Sequence, residues 1–387
     1  MKKVTILGST GSIGLSALDI IEKNPDRFRI VSLVAGENIK KLKEQIEKFR
    51  PKVVAVKTKQ AAIKLRELLT AKTGMKIIYD EEGLKEAASC PSADIVISAI
   101  SGSAGLLPTL AAIDAGKDVA LANKETMVMA GKIVTARAKK NKVKIIPVDS
   151  EHSAIYQCLE GNKKENVKRV ILTASGGPFF HFTGKQLKTV NVSQALRHPR
   201  WKMGRKVTID SATMMNKGLE VIEAKWLFNV DISEIDVMIH PQSIVHSMVE
   251  FIDGAFIAQM GVPDMRIPIA YALTHPERIM NDLSPLDLVR TGRLEFYEPD
   301  TTKFPCLKLA REAARTGGTA PAVLNAADEV AVSAFLQRKI AFTDLPKIVN
   351  RVLDNHAVMA DPSIHDILHA DLRARRETEK IIERMAR

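Results

Sequence analysis

The 387-residue chain reads as an α/β protein built of an N-terminal doubly wound domain, an α+β domain and a C-terminal helical bundle. Three observations predict this. Strand-like apolar runs alternate with helical ones from 3 to 148, a glycine-rich turn from Gly8 to Gly14 joins the first strand to the first helix, and only helical periodicity remains after 305. In the first region, strand-like 3–7, 29–35, 53–56, 76–79, 94–98, 118–122 and 143–148 are interleaved with helix-like 12–23, 38–49, 60–71, 105–115 and 126–140. Such alternation makes βαβ units and a mostly parallel sheet, because each helix returns the chain to the start of the next strand.

From about 165 the pattern changes to strand candidates 168–173, 207–210, 236–239, 247–251 and 256–259, with longer connections. The last two flank Asp253-Gly254 as a hairpin would. The stretch 281–304 reads as a linker rich in proline, aromatic and polar residues. Helices follow at 306–315, 320–339, 345–357 and 364–385, separated by Gly317-Gly318, Thr343-Asp344 and Asp361-Pro362-Ser363. The expected division is therefore 1–149, 150–280, the linker 281–304, and 305–387.

Composition narrows the function. Hydrophobic content of 45% and charged content of 26% fit a soluble globular protein, and no apolar run approaches the roughly 20 residues of a membrane span. Cys90, Cys158 and Cys306 lie far apart without metal or redox spacing, so no disulfide and a reducing cytoplasm are expected. With a strand at 3–7, no leader peptide is expected. The net charge of +12 is spread over helical stretches mixed with acids, and aromatics at 5% are too few for a base-stacking platform. An anionic small substrate suits the charge better than nucleic acid.

The run 142–160 is the most informative. A strand-like segment ends in Asp149-Ser150-Glu151 and passes into a helix. On a strand end, residues two apart point the same way, and two carboxylates so placed suit a hard divalent cation. They equally suit the cap and first turn of a helix. Gly8, Gly11 and Gly14 have GxxGxxG spacing between strand and helix, where a dinucleotide pyrophosphate binds. The second strand ends at Gly36-Glu37-Asn38. There Glu37 favours a free ribose hydroxyl, whereas Asn38, Lys40 and Lys41 favour a 2′-phosphate, and local chemistry leaves both open. Ala99 and the run Asn123-Lys124-Glu125 follow strands, on the sheet edge where ligands of such folds bind; a surface ion pair is the plainer reading of Lys124 with Glu125.

In the run 210–223, Ser211, Asn216 and Lys217 form a candidate phosphate cradle, and Glu220, one turn after Lys217, is a candidate third carboxylate for a metal. An ordinary helix start explains the same residues. The segment 197–206 packs five cations around Trp201, which looks exposed, and suits a lid over an anionic substrate. His198, beside Pro199, is structural or functional depending on that company.

Together GSTGSIG, ANKE, VDSEHSA, ASGGPF, HPRWKMG, DSATMMNKGLE and HPQSIVHS resemble the 1-deoxy-D-xylulose 5-phosphate reductoisomerase family along the whole chain. The resemblance implies a homodimer with a Rossmann-like NADPH domain, a catalytic domain and a C-terminal four-helix bundle. It implies Mg²⁺ or Mn²⁺ on Asp149, Glu151 and Glu220, substrate phosphate on Ser175, Ser211, Asn216 and Lys217, and Ser150 and His198 against the substrate backbone. Lys124, Glu151, His198 and Glu220 become the catalytic set, with Lys124 also touching substrate. Trp201 covers the ligand, with Met203 near it. Cofactor contacts are expected from Thr10, Gly11, Ser12, Ile13, Gly36, Glu37, Asn38, Ala99, Asn123, Glu125, Gly204, Ser243 and Met265. Many members have a basic or small residue where Glu37 stands, so Asn38 with a nearby lysine is expected to take the 2′-phosphate. The implied reaction is isomerisation and NADPH reduction of the sugar phosphate, with no nucleic acid or membrane partner. A metal-independent NAD(P) dehydrogenase acting on an amino-acid semialdehyde leaves three acids without a role, and a basic binding protein explains only the charge.

Overall fold

The computed structural model describes residues 1–69, 74–201 and 203–385. Seven strands, β1 (Lys2–Leu7), β2 (Phe28–Ala35), β3 (Val53–Val56), β4 (Lys76–Tyr79), β5 (Ile95–Ser98), β6 (Asp118–Leu121) and β7 (Ile145–Pro147), form one sheet in the order β4-β3-β2-β1-β5-β6-β7. All neighbours are parallel. The inner strands are nearly continuous apolar runs because helices cover both faces, and Val4, Ile6, Leu7, Leu33 and Ile97 are fully buried. The strand order reverses between β1 and β5, so the loops leaving these two strands open the crevice typical of such sheets.

A second sheet has the order β11-β10-β8-β9, from β8 (Val167–Ala174), β9 (Ile235–Ile239), β10 (Val245–Phe251) and β11 (Phe256–Met260). β10 and β11 pair antiparallel through the turn at Gly254, while β8 and β9 run parallel. Helices Arg205–Thr213 and Met215–Phe228 precede β9, and helices Cys306–Thr316, Ala320–Leu336, Leu345–Asp354 and Ile364–Met385 follow.

The compact units differ from the sequence division. One unit comprises Met1–Thr126, Lys132–Ser153 and Asp264–Asp282, and the other Met127–Gly131, Ala154–Pro263 and the chain from Leu283 on. The segment from Asp264 joins the first unit because helix Arg266–Thr274 packs on helix Ser12–Lys23 and Arg266 pairs with Asp19, Asp264 and Asp282. The linker and C-terminal helices join the second because they share one core with β8, β9 and helix Met215–Phe228. Gly218 shows how close that packing is: a Cβ there would lie 2.5 Å from the Ala310 Cβ. The expected strand 207–210 is instead helix Arg205–Thr213, whose burial of Thr208, Ile209 and Ala212 overrides the β-branched composition. Helix Asp80–Ala88 has no counterpart in the sequence reading. The expected helix 60–71 runs from Lys59 to Leu68, and its last two expected residues lie outside the described ones.

Candidate active site

In the first unit the turn from Gly8 to Gly14 is held on all sides. The Gly8 and Ser9 amides donate to the Val34 carbonyl at 2.9 and 2.8 Å, and buried Gln45 donates to the Ser9 carbonyl at 2.9 Å. Gly8 has φ +87°, and a Cβ there would meet the Ala99 carbonyl oxygen at 2.4 Å. A Cβ on Gly14 would meet the Gly8 oxygen, also at 2.4 Å. These two glycines are explained by packing. Gly11 is different, since the nearest atom to its added Cβ lies 3.4 Å away and it starts helix Ser12–Lys23 without a side-chain cap. The helix N-terminus with exposed Gly11 and Ser12 and half-buried Thr10 and Ile13 is thus open to an anion.

Gly36, Glu37 and Asn38 are exposed at the end of β2, and the Asn38 side chain caps helix Ile39–Phe49 by accepting from the Lys41 amide. Ala99 is half-buried after β5. Asn123 is buried and already engaged: its amide donates to the Ile100 and Gly102 carbonyls at 2.7 and 3.0 Å and to Glu125 at 2.8 Å, while its oxygen accepts from the Thr126 amide. It ties the loops after β5 and β6 together. Met265 immediately precedes helix Arg266–Thr274 in the same unit, without a side-chain capping bond.

Asp149 follows β7, but Ser150 and Glu151 already belong to helix Ser150–Leu159. The pair is therefore brought together by a helix start and not by strand alternation, with carboxylate oxygens within 4.8 Å of each other. Ser150 donates to Glu151 at 2.5 Å. Lys124 is buried, not a surface residue, and its ammonium lies 2.8 Å from Asp149. Burial pushes the Asp149 carboxyl up, but the Lys124 charge and His152 outweigh it and hold the group well below the usual carboxylate range. His152, 3.6 Å from Asp149, was overlooked in the sequence, although its spacing of three places it one helical turn on.

In the second unit, Ser175 and Ser211 converge on His198. The His198 Nε2 lies 2.9 Å from Ser175 Oγ and 3.1 Å from Ser211 Oγ. Its Nδ1 accepts from the Trp201 and Arg200 amides at 2.9 and 3.2 Å, so the neutral ring carries its proton on Nε2, facing the serines. Glu220 is fully buried on helix Met215–Phe228, with Asn216 donating to one oxygen and Lys217 to the other, each at 2.5 Å. Carboxylates with adjacent amide, hydroxyl and ammonium donors form a set of hard oxygen ligands and anion donors, which fits a divalent cation and a phosphate.

The lid expectation needs two corrections. Trp201 is half-buried, its ring 6.1 Å from that of His246, because Arg200 donates to the Pro241 carbonyl at 3.0 Å and lays the segment on the loop after β9. Arg205 and Lys206 begin a helix, so the lid ends at exposed Gly204, and Lys202 lies outside the described residues. Met203 is half-buried, and Ser243, with φ +52°, is buried in the loop that receives Arg200. That loop is held by His240, whose Nδ1 donates to the Glu295 carbonyl and whose Nε2 accepts from the Ile244 amide. Burial lowers the His240 pKa.

Family models described as 1-deoxy-D-xylulose 5-phosphate reductoisomerase and its C-terminal domains match residues 4–131, 145–228 and 260–377. The chain is 54% identical to the enzyme of that name from Geobacter metallireducens, over 99% of both chains. It is 52% identical to that from Geotalea daltonii, over 99% of this chain and 100% of the relative. A crystal structure of DOX-P reductoisomerase in complex with NADPH, fosmidomycin and magnesium superposes with a TM-score of 0.95 at 45% identity, covering 99% of this chain and 98% of the other. The Zymomonas mobilis enzyme in complex with NADPH gives a TM-score of 0.92 at 42% identity over 99% of both chains. This chain belongs to the 1-deoxy-D-xylulose 5-phosphate reductoisomerase family.

Proposed function

We propose that this chain converts 1-deoxy-D-xylulose 5-phosphate and NADPH to 2-C-methyl-D-erythritol 4-phosphate and NADP⁺, with Asp149, Glu151 and Glu220 holding a divalent cation. The observation that carries the reading is its likeness, over nearly the full length, to the reductoisomerase solved with NADPH, fosmidomycin and magnesium. When bound, the cation supplies Lewis-acid stabilisation of negative charge on substrate oxygens, and NADPH supplies the hydride. The residues of the chain do the rest. Ser175, Ser211, Asn216 and Lys217 bind the phosphate, Lys217 adding a buried positive charge to neutral donors. His198 directs its Nε2 proton between the two serines and fixes their hydroxyl orientation. The lid, anchored by Arg200 and closed by Trp201, excludes water while the substrate skeleton rearranges to a branched aldehyde, which hydride and a proton then reduce to the alcohol.

Gly11 to Ile13 would hold the NADPH pyrophosphate, and Asn38 with Lys40 or Lys41 would hold the 2′-phosphate, while exposed Glu37 would face solvent. Two copies assemble through the edge of the second sheet, where β11 leaves Phe256 and Ile257 exposed beside Ile252. Among the described residues no helix is long and apolar enough to cross a membrane, and the three cysteines are buried free thiols, which supports a cytoplasmic setting. The test is NADPH oxidation on 1-deoxy-D-xylulose 5-phosphate with Mg²⁺ and with excess chelator. Turnover that needs both substrate and metal is expected; metal-independent oxidation of the same substrate would overturn the reading.

A further inference from the structure

Behind the serine that meets His198 lies a cluster with no part in the reaction above. Helix Arg205–Thr213 presents Ser211 to His198, while the preceding residue, Asp210, is only 1% exposed and lies with Asp328 of helix Ala320–Leu336, itself 3% exposed, within reach of one ammonium and of each other. The Lys206 ammonium lies 2.7 Å from Asp210 and 3.3 Å from Asp328. Among the described residues Asp210 Oδ1 accepts no hydrogen bond, and Asp328 Oδ2 has only the Lys206 ammonium beside it, at 3.3 Å. Two buried carboxyls beside one ammonium are electrically balanced when they share a proton. The remaining titratable group there, the Cys306 thiol, is pushed up by burial and by Asp328 and Asp210, and so stays neutral.

We propose that Asp328 is a positioning residue for the substrate site, holding Asp210 and Lys206 through a shared proton and so fixing both Ser211 and the C-terminal root of the lid at Gly204. Burial first, and then the Asp210 charge, hold the Asp328 carboxyl well above the usual range against the opposing pull of Lys206, so its proton is available to donate. The C-terminal helices thereby contribute to substrate affinity without touching substrate. The inference rests on the reading that Ser211 and His198 face the substrate.

The experiment compares Asp328→Leu, which removes the proton donor, with Asp328→Asn, which keeps a neutral donor of the same shape. Loss of a buried network of this kind should raise the KM for 1-deoxy-D-xylulose 5-phosphate about tenfold in Asp328→Leu, leave the NADPH KM within about twofold, and return to within about twofold of wild type in Asp328→Asn. Tryptic cleavage after Arg197 and Arg200, followed by mass spectrometry, should accelerate in the Leu variant and not in the Asn variant. If the Leu variant does not fold, Lys206→Met takes its place with the same expected cleavage. Unchanged KM and cleavage in the Leu or Met variant, an Asn variant as impaired as Leu, or a parallel rise in the NADPH KM would each overturn the proposal. A wild type that does not turn over the substrate defeats the functional reading instead, and cleavage still judges Asp328.

Discussion

Lys217 is 3% exposed and its ammonium contacts the fully buried Glu220, whose charge it balances; in the proposed reaction it would also offer positive charge to an incoming phosphate. Replacing it by Ala should raise the KM for the sugar phosphate by at least about tenfold, the cost of one charge-assisted hydrogen bond, with the NADPH KM unchanged. Steady-state kinetics on both substrates decides this, and an unchanged sugar-phosphate KM would return Lys217 to a role in packing alone. Of the candidate site, Asp149, Glu151, Ser211, Asn216, Lys217 and Glu220 were named from residue type and spacing, and Ser150 and Ser175 only through the family resemblance. Their mutual contacts were less legible. The contacts of His152, Asp210 and Asp328 escaped because a His or Asp looks the same in sequence whether it is exposed or buried, and because Asp328 meets Lys206 and Asp210 from far along the chain. Asn123 was legible as a ligand-edge residue, yet its side chain is occupied by three protein acceptors, a use that no local pattern announces.

At the scale of the element, strands were easier to read than their surroundings. The parallel sheet shows in the sequence as buried apolar runs, but helix Arg205–Thr213 was taken for a strand because Val207 and Thr208 are β-branched and one of the helices packed on it, Ala320–Leu336, lies about a hundred residues on. The second sheet is cross-linked on one face by charge. Arg169 on β8 stands opposite Glu250 on β10 and also pairs with Asp236 on β9, and Lys168 reaches Glu250 at 2.8 Å. Hydrogen bonds from Lys168 and Arg169 lower the Glu250 pKa. A carboxyl lowered on folding stabilises above its unfolded pKa, and that stability is lost as pH falls through the folded value. Glu250→Gln should therefore lower the thermal midpoint at neutral pH, and the gap from wild type should close on acidification below the usual carboxylate range. A gap that stays constant with pH would show that the effect is not electrostatic.

For the whole molecule, the order of motifs along the chain was readable and the grouping of segments was not. Asp264–Asp282 returns to the first unit and the C-terminal helices join the core of the second, because grouping depends on which apolar faces meet, as at Gly218 against Ala310, and not on order. The edge strand β11 leads to a prediction at this scale. If two copies pair through this edge as proposed, light scattering at micromolar concentration should give a dimer mass for wild type and a monomer mass for Ile257→Lys, which places a charge on an exposed apolar edge; equal masses for the two would argue against this interface.

In the proposed reaction Asp149, Glu151 and Glu220 would hold one divalent cation. Mn²⁺ titration followed by electron paramagnetic resonance tests it without turnover. Wild type should bind a single ion per chain, and Glu151→Gln and Glu220→Gln should each weaken that binding at least about tenfold, since each loses an anionic oxygen ligand. Wild-type Mn²⁺ affinity in either variant would show that the substituted carboxylate is not a ligand of the ion.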